Sequence, residues 1–118
     1  MTEAVSPLKS TLSAVEIANA IAERWREEGT TNVEMLMPTA VYLYDRKLVE
    51  WVFEDTRSAA EFADSFKQIR KRGIDVGIVL PVAEVGRAHE EFWGTGLILY
   101  GWIDRGDKMI RFTGPEVA

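Results

Sequence analysis

The chain contains no cysteine and only one histidine among its 118 residues. The missing cysteine excludes a disulfide framework, cysteine-ligated zinc, iron–sulfur clusters and thiol chemistry. A single imidazole cannot supply a site that needs two, such as the HExxH zinc site. No serine or cysteine nucleophile stands in a recognisable motif around His89, so we interpret it as an ordinary histidine of an amphipathic helix.

The chain also lacks an excess of positive charge and a long apolar run. It has 14 Lys+Arg against 19 Asp+Glu, a formal net charge of −5, whereas attraction to phosphates needs positive charge. The apolar runs 76–82 and 97–103 fall far short of the ~20 residues of a membrane-spanning helix, and residues 1–10 lack the apolar run of a signal peptide. We therefore expect a cytoplasmic protein that does not bind membranes, and the charge argues against nucleic acid as its partner.

What the chain does contain is typical of one globular domain. Hydrophobic residues make up 47% and charged residues 28% of the sequence, a balance that argues against intrinsic disorder. The length suits a single domain. We expect this domain to span residues 1–118, with residues 1–10 and 114–118 loose.

Three stretches have the periodicity of amphipathic helices. In residues 14–28 apolar side chains recur at helical spacing after Ser13, which starts a capping box. Residues 58–72 repeat this pattern after a second capping box at Ser58. Residues 83–93 predict a shorter third helix.

Other stretches have the alternation and the β-branched or aromatic composition of strands. They are residues 33–37, 41–44, 48–54, 76–80, 97–103 and 109–113. Residues 41–44 and 48–54 flank a short polar spacer, which suits a hairpin. Residues 76–80 are apolar on both faces, as expected of a central strand that is covered on both sides.

The resulting order is helix, two or three antiparallel strands, helix, central strand, helix, strand and strand. A strand–helix–strand unit within this order predicts a right-handed crossover between parallel strands. We therefore predict an α/β fold (an α+β mixed sheet). It consists of a leading helix, a β-meander, a right-handed βαβ crossover, a short helix and a C-terminal hairpin around one mixed sheet.

Over residues 14–103 this order resembles the restriction-endonuclease-like fold of the PD-(D/E)XK superfamily. The resemblance implies an Asp near the start of the second meander strand and (Asp/Glu)-x-Lys on the third, which together hold a divalent metal. Here Thr39-Ala40-Val41 offers no acid, and neither Glu50-Trp51-Val52 nor Glu54-Asp55-Thr56 has the lysine. The resemblance therefore implies the scaffold with a degenerate catalytic motif. Residues 48–113 also fit the βαβαββ order of small nucleic-acid-binding domains such as the Alba group.

Acidic residues form one candidate site. Glu50 and Glu54 share one face of a predicted strand, about 13 Å apart by the strand rise, and Asp45 lies in the preceding turn. We interpret them as a solvated polar face with no cofactor. The alternative is a magnesium-dependent phosphodiesterase site built from Glu50, Glu54 and Asp45.

Aromatic residues form a second candidate site. Strand 97–103 is apolar on both faces, with Tyr100 and Trp102 on the same face, and Trp93 is close in sequence. Either helices of the same chain cover both faces, or the aromatic face meets another chain. Because tryptophan and tyrosine anchor many interfaces, we predict Trp93, Tyr100 and Trp102 as partner-binding residues.

Basic residues form a third cluster at the end of the second predicted helix. Lys67, Arg70, Lys71 and Arg72 stand where cations complement the helix dipole, which is our interpretation of them. Any contact with nucleic acid would centre on these four residues.

Three functions stay open at this point. The first is a non-enzymatic protein-interaction or dimerisation module, with a protein partner or a second copy as ligand and a homodimer as the expected form. The second is a divalent-metal-dependent nuclease acting on DNA or RNA. The third is an acidic mimic of nucleic acid that binds a basic partner.

Overall fold

A computed structural model of the chain describes residues 12–30, 32–106 and 109–118. It contains four helices and six strands within these residues. The helices are α1 (Ala14–Glu27), α2 (Thr56–Ala60), α3 (Ala63–Lys71) and α4 (Val85–Glu91). The strands are β1 (Val33–Met37), β2 (Ala40–Leu43), β3 (Leu48–Val52), β4 (Asp75–Pro81), β5 (Ile98–Asp104) and β6 (Ile110–Val117). The predicted loose arm, residues 1–10, lies outside the described residues.

The six strands form one sheet in the order β1-β2-β3-β4-β5-β6. Strands β1, β2 and β3 are an antiparallel meander, and β4 runs parallel to both β3 and β5. The antiparallel pair β5–β6 is the C-terminal hairpin. The predicted fold class, a mixed sheet with helices around it and a C-terminal hairpin, is confirmed.

The two faces of the sheet are covered differently. Helices α2, α3 and α4 pack on one face, where the Phe66 ring of α3 lies 5.4 Å from the Trp51 ring of β3, centroid to centroid. Helix α1 packs on the other face, mainly against the meander strands β1, β2 and β3. Among the described helices α1 alone covers this face, so the part over β4, β5 and β6 receives less helical cover.

The start of α1 agrees with its predicted cap, since the Ser13 hydroxyl accepts a hydrogen bond from the Glu16 backbone N–H at 3.2 Å. The second predicted helix differs from the structure. Asp55 rather than Ser58 caps it, accepting from the Ser58 N–H at 2.7 Å, and the helix therefore begins at Thr56. It also breaks into α2 and α3 at Phe62, whose ring packs against Trp51 and Phe53.

Residues 114–118 are not a loose tail in the structure. Strand β6 continues to Val117, which pairs with Ile98, and the Ala118 N–H donates to the Leu97 carbonyl at 2.9 Å. The ladder shifts register between Leu99 and Gly101, and Gly114 meets this irregularity with a φ of +102°. A Cβ at Gly114 would lie 2.7 Å from the Leu99 carbonyl oxygen, so glycine allows β6 to pass this point and continue pairing.

Candidate functional site

A cleft of about 250 Å³ opens on the α1 face of the sheet, between α1 and β6. We call it the Glu50 cleft. Its lining side chains come from α1, from the sheet and from β6. They are Ile21, Arg24, Trp25 and Glu28, then Glu50, Val79 and Tyr100, then Phe112 and Thr113, with Gly114 at the backbone.

Glu50 lies in the middle of β3, paired with Val41 of β2 and Gly77 of β4. Strand alternation directs its side chain to the α1 face, as it does for Leu48 and Val52. Glu50 is only 5% exposed, and it is the one charged side chain that is buried among the described residues. A buried acid is costly unless other groups compensate its charge, so its surroundings decide its chemistry.

The compensating groups come from α1 and from the turn before β3. The Trp25 indole Nε1–H donates a hydrogen bond to Oε1 of Glu50. Burial raises the pKa of the Glu50 carboxyl, while the Trp25 hydrogen bond and the positive charges of Arg24 and Arg46 oppose that rise. A carboxyl with a raised pKa in a cleft is a recognised mark of a functional site.

Tyr100 lies beside Glu50 because β4 offers no side chain at Gly77. A Cβ at Gly77 would come within 2.9 Å of Tyr100 Cε2 and 3.7 Å of Glu50 Cγ. Burial raises the pKa of Tyr100 to about 12, and the negative charge of Glu50 adds to the rise. The phenol therefore stays protonated at neutral pH and can donate or accept a hydrogen bond.

Two arginines of the chain rest on aromatic rings of this region. The guanidinium carbon of Arg46 lies 4.3 Å from the centroid of the Trp25 ring, and that of Arg24 lies 5.6 Å from the Phe112 ring. Arg24 also pairs with Glu28, with 3.6 Å between Nε and Oε1, but both side chains are more than half exposed. Such an exposed pair adds little stability, so Arg24 can leave its position at low cost.

The structure separates the three acids that sequence analysis grouped. Glu50 is buried in the cleft, whereas Glu54 lies exposed after β3 and Asp45 accepts a hydrogen bond from the Asn32 amide at 3.1 Å in an exposed turn. The interpretation of Glu50 as part of a solvated face is wrong, because Trp25 of α1 covers it. Residues 12–30, 32–106 and 109–118 contain no group of three His, Asp or Glu side chains placed to hold a metal ion. The magnesium site at Glu50, Glu54 and Asp45, which was the alternative interpretation, stays untested.

The three predicted aromatic anchors do not form one patch. Trp93 is 74% exposed, but it follows α4 on the opposite layer of the sheet and contacts His89. Trp102 is 2% exposed and belongs to the core cluster on the α1 face of the sheet, which leaves it almost no surface for a partner. Only Tyr100 lines the Glu50 cleft.

Sequence analysis missed four residues of this region: Arg24, Trp25, Arg46 and Phe112. Trp25 continues the helical spacing of the apolar residues in 14–28, which places it on the inner face of its helix, but nothing in the pattern pairs it with Glu50. Phe112 alternates with Arg111 along β6, and this alternation was the one signal that it faces the sheet's interior.

The predicted basic residues lie on α3, away from the Glu50 cleft. Lys67, Lys71 and Arg72 are exposed there. Arg70 is also exposed, but its guanidinium donates to the Thr95 carbonyl and lies against Gly96, so it braces the loop before β5. That any contact with nucleic acid would centre on these four residues stays untested.

Comparison with known proteins gives no match to a family model, to a curated protein or to a solved structure. The resemblance to the restriction-endonuclease-like fold therefore stays a prediction. No helix among the described residues has the length and apolar character that crossing a membrane requires.

Proposed function

We propose that this chain is a non-enzymatic interaction module of the cytoplasm. Its docking surface is the Glu50 cleft with the neighbouring surface of β5 and β6, and its ligand is a protein partner or a second copy. The observation that carries this proposal is the uneven cover of the sheet. Helix α1 covers the meander, while Tyr100 and Phe112 stay only partly buried beside it.

Partly buried aromatic rings at a cleft are suited to recognition. Rings such as Tyr100 and Phe112 bury a large area while losing few rotatable bonds, which is why aromatic residues dominate interface energetics. The cleft between them supplies a concave centre, and energetically dominant contacts cluster in such desolvated centres.

The chemistry of the cleft favours binding over catalysis. An activated nucleophile needs a lowered pKa or an adjacent base. Tyr100 and Thr113 carry the hydroxyls that line the cleft, and the pKa of Tyr100 is raised rather than lowered. Glu50 accepts a hydrogen bond from the Trp25 indole, which stabilises its charged form and so makes it a weaker base toward a nucleophile.

The proposal is tested by light scattering after size-exclusion chromatography over a range of protein concentrations. The self-association form predicts a mass above that of the 13.3 kDa chain, which Phe112→Asp should return to the monomer value. Trp93→Asp, an aromatic-to-acid change on the opposite layer, is the matched control and should leave the mass unchanged.

A heterologous partner is tested by placing a photo-crosslinking phenylalanine at position 112 and, as control, at position 93. Incubation with an extract of the source cells should give adducts that depend on position 112. If the chain is monomeric and adducts form from position 93 alone, or from neither position, docking at the Glu50 cleft is refuted.

A further inference from the structure

We infer that the Glu50 cleft receives the guanidinium group of an arginine side chain presented by a protein partner. The inference rests on the proposed function and names the chemistry of its ligand. Three features of the cleft support it: its buried carboxylate, its aromatic walls and its size.

The carboxylate supplies a hydrogen-bond acceptor with little solvent around it. The Trp25 indole N–H donates a hydrogen bond to Oε1 of Glu50, and no described residue donates one to the other carboxylate oxygen, Oε2. A guanidinium presents a planar fork of N–H donors that matches carboxylate geometry. A cation at this position would also offset the cost of keeping Glu50 charged in a buried place.

The aromatic walls suit the same group. Trp25, Tyr100 and Phe112 line the cleft, and cations are attracted to the faces of such rings. Two of these rings already carry a guanidinium of the chain itself, Arg46 on Trp25 and Arg24 on Phe112. These internal contacts demonstrate that the ring faces accept the proposed group.

The volume of the cleft and the net charge of the chain further restrict the kind of ligand that the cleft can take. A cleft of about 250 Å³ is smaller than most sites for drug-sized ligands, so it has room for one side chain. The chain carries a net charge of −5, which favours a basic partner over an acidic one. Arg24 in the cleft lining, with Arg46 close by on the Trp25 ring, favours the opposite alternative, which is an anion held by Arg24.

The two alternatives predict opposite effects of Arg24→Ala. If a guanidinium binds, Arg24 competes for the Phe112 ring, and its removal should strengthen binding about threefold, since an exposed cation–π contact is worth a fraction of a tenfold change. If an anion binds, Arg24 is a ligand and its removal should weaken binding. Arg26→Ala is the matched control, because Arg26 is an exposed arginine of the same helix that does not line the cleft.

The experiment titrates N-acetyl-arginine N-methylamide into the full-length ¹⁵N-labelled chain and follows the indole N–H resonances. The Trp25 signal is assigned with Trp25→Phe. We expect this resonance to shift with a dissociation constant of about 1 mM, typical of one small group. The isosteric but uncharged N-acetyl-citrulline N-methylamide should leave it unshifted. Free arginine, which carries extra charges on its backbone, should bind more weakly than the capped form if a peptide-borne side chain is the true ligand.

Two variants of the cleft complete the test. Glu50→Gln should weaken binding of the capped arginine by about tenfold or more, since it removes the charge but keeps the shape. Phe112→Leu should weaken binding of the capped arginine by a smaller factor while leaving the Glu50–Trp25 contact intact. This second variant keeps the inference testable if Glu50→Gln unfolds the chain. Equal binding of citrulline, loss of binding in Arg24→Ala, or unchanged binding in both variants would overturn the inference.

Failure of this inference is distinguishable from failure of the proposed function. If the capped arginine does not bind but position 112 still crosslinks or Phe112→Asp still dissociates a dimer, the module stands and its ligand chemistry is different. If the capped arginine binds but neither self-association nor crosslinking occurs, the cleft is a guanidinium site and the interaction module is refuted.

Discussion

Replacing Trp25 by phenylalanine should destabilise the protein in a way that depends on the charge of Glu50. The change removes the indole N–H, which donates to the buried Glu50 carboxyl, but it keeps an aromatic ring on the inner face of α1. A hydrogen bond to a charged group is worth about 1.5–3 kcal/mol, against about 0.5–1.5 kcal/mol for a neutral one. The Arg46 contact loses part of its energy as well, because tryptophan is the best cation–π ring.

These contributions sum to a loss of about 2–3 kcal/mol at a pH above the raised pKa, where Glu50 is charged. Burial raises the folded-state pKa of Glu50 above its ordinary value of 4.5, so the folded protein binds this proton more tightly than the unfolded chain. Ionisation of Glu50 therefore costs stability as the pH rises from about 4.5 through the raised pKa. At pH 4 Glu50 is largely protonated in both states, and the loss in Trp25→Phe should shrink to about 1 kcal/mol.

Urea unfolding followed by circular dichroism at pH 7 and pH 4 measures both losses. The control is the Glu50→Gln background, in which Trp25→Phe should have a small cost that is the same at both pH values. A cost that is equal at pH 7 and pH 4 in the wild-type background would refute the account of Glu50 as a buried acid held by Trp25.

Three further predictions concern the core, the glycines and the metal. Phe66→Ala removes a ring that is 1% exposed and should cost about 3–5 kcal/mol in urea unfolding, a large share of the total for a domain of this size; a cost below 1 kcal/mol would contradict its place in the core. Gly114→Ala should cost more than about 2 kcal/mol of folding stability, because the φ of Gly114 is positive and the new Cβ would meet the Leu99 carbonyl. Gly86→Ala in α4, where a Cβ meets nothing, should instead stabilise the protein by up to about 1 kcal/mol. The thermal unfolding temperatures of the two variants should therefore shift in opposite directions. Neither Mg²⁺ nor Mn²⁺ should support cleavage of labelled DNA or RNA, and cleavage that is lost in Glu50→Ala would establish the nuclease instead.

Local signals predicted the elements well where each element depends on its own residues. The spacing of Ile17, Ala18 and Ile21 specifies α1, and the two-sided apolarity of residues 76–80 specifies a central strand, so both were found. The break at Phe62 was not visible in the sequence, because Phe62 fits the helical spacing of its neighbours. In the structure the helix is interrupted there, and the Phe62 ring packs on Trp51. Residues 114–118 were expected to be loose, whereas Gly114 lets β6 pass a register shift and continue pairing.

The site was harder to predict than the fold because its parts come from distant segments. Alternation along β3 correctly places Glu50 and Trp51 on opposite faces of the strand. It does not say whether water or another element covers the face that carries Glu50. The group that covers Glu50 is Trp25 of α1, which lies 25 residues earlier in the chain. The same limit applies to Trp102, because the apolar pattern of β5 allows either a partner or a helix as cover. In both cases the burial depends on contacts between distant segments, which the pattern of one strand does not contain.

The sheet divides the apolar interior into two compartments that share no side chains. The compartment beneath α2, α3 and α4 holds the ring cluster around Phe66, while the one beneath α1 holds Glu50 and Trp102. Energetic effects of substitutions in separate compartments should therefore add, since coupling falls off between residues without common neighbours. Substitutions in the cleft can thus accumulate one at a time while the aromatic compartment on the other face of the sheet keeps the scaffold folded.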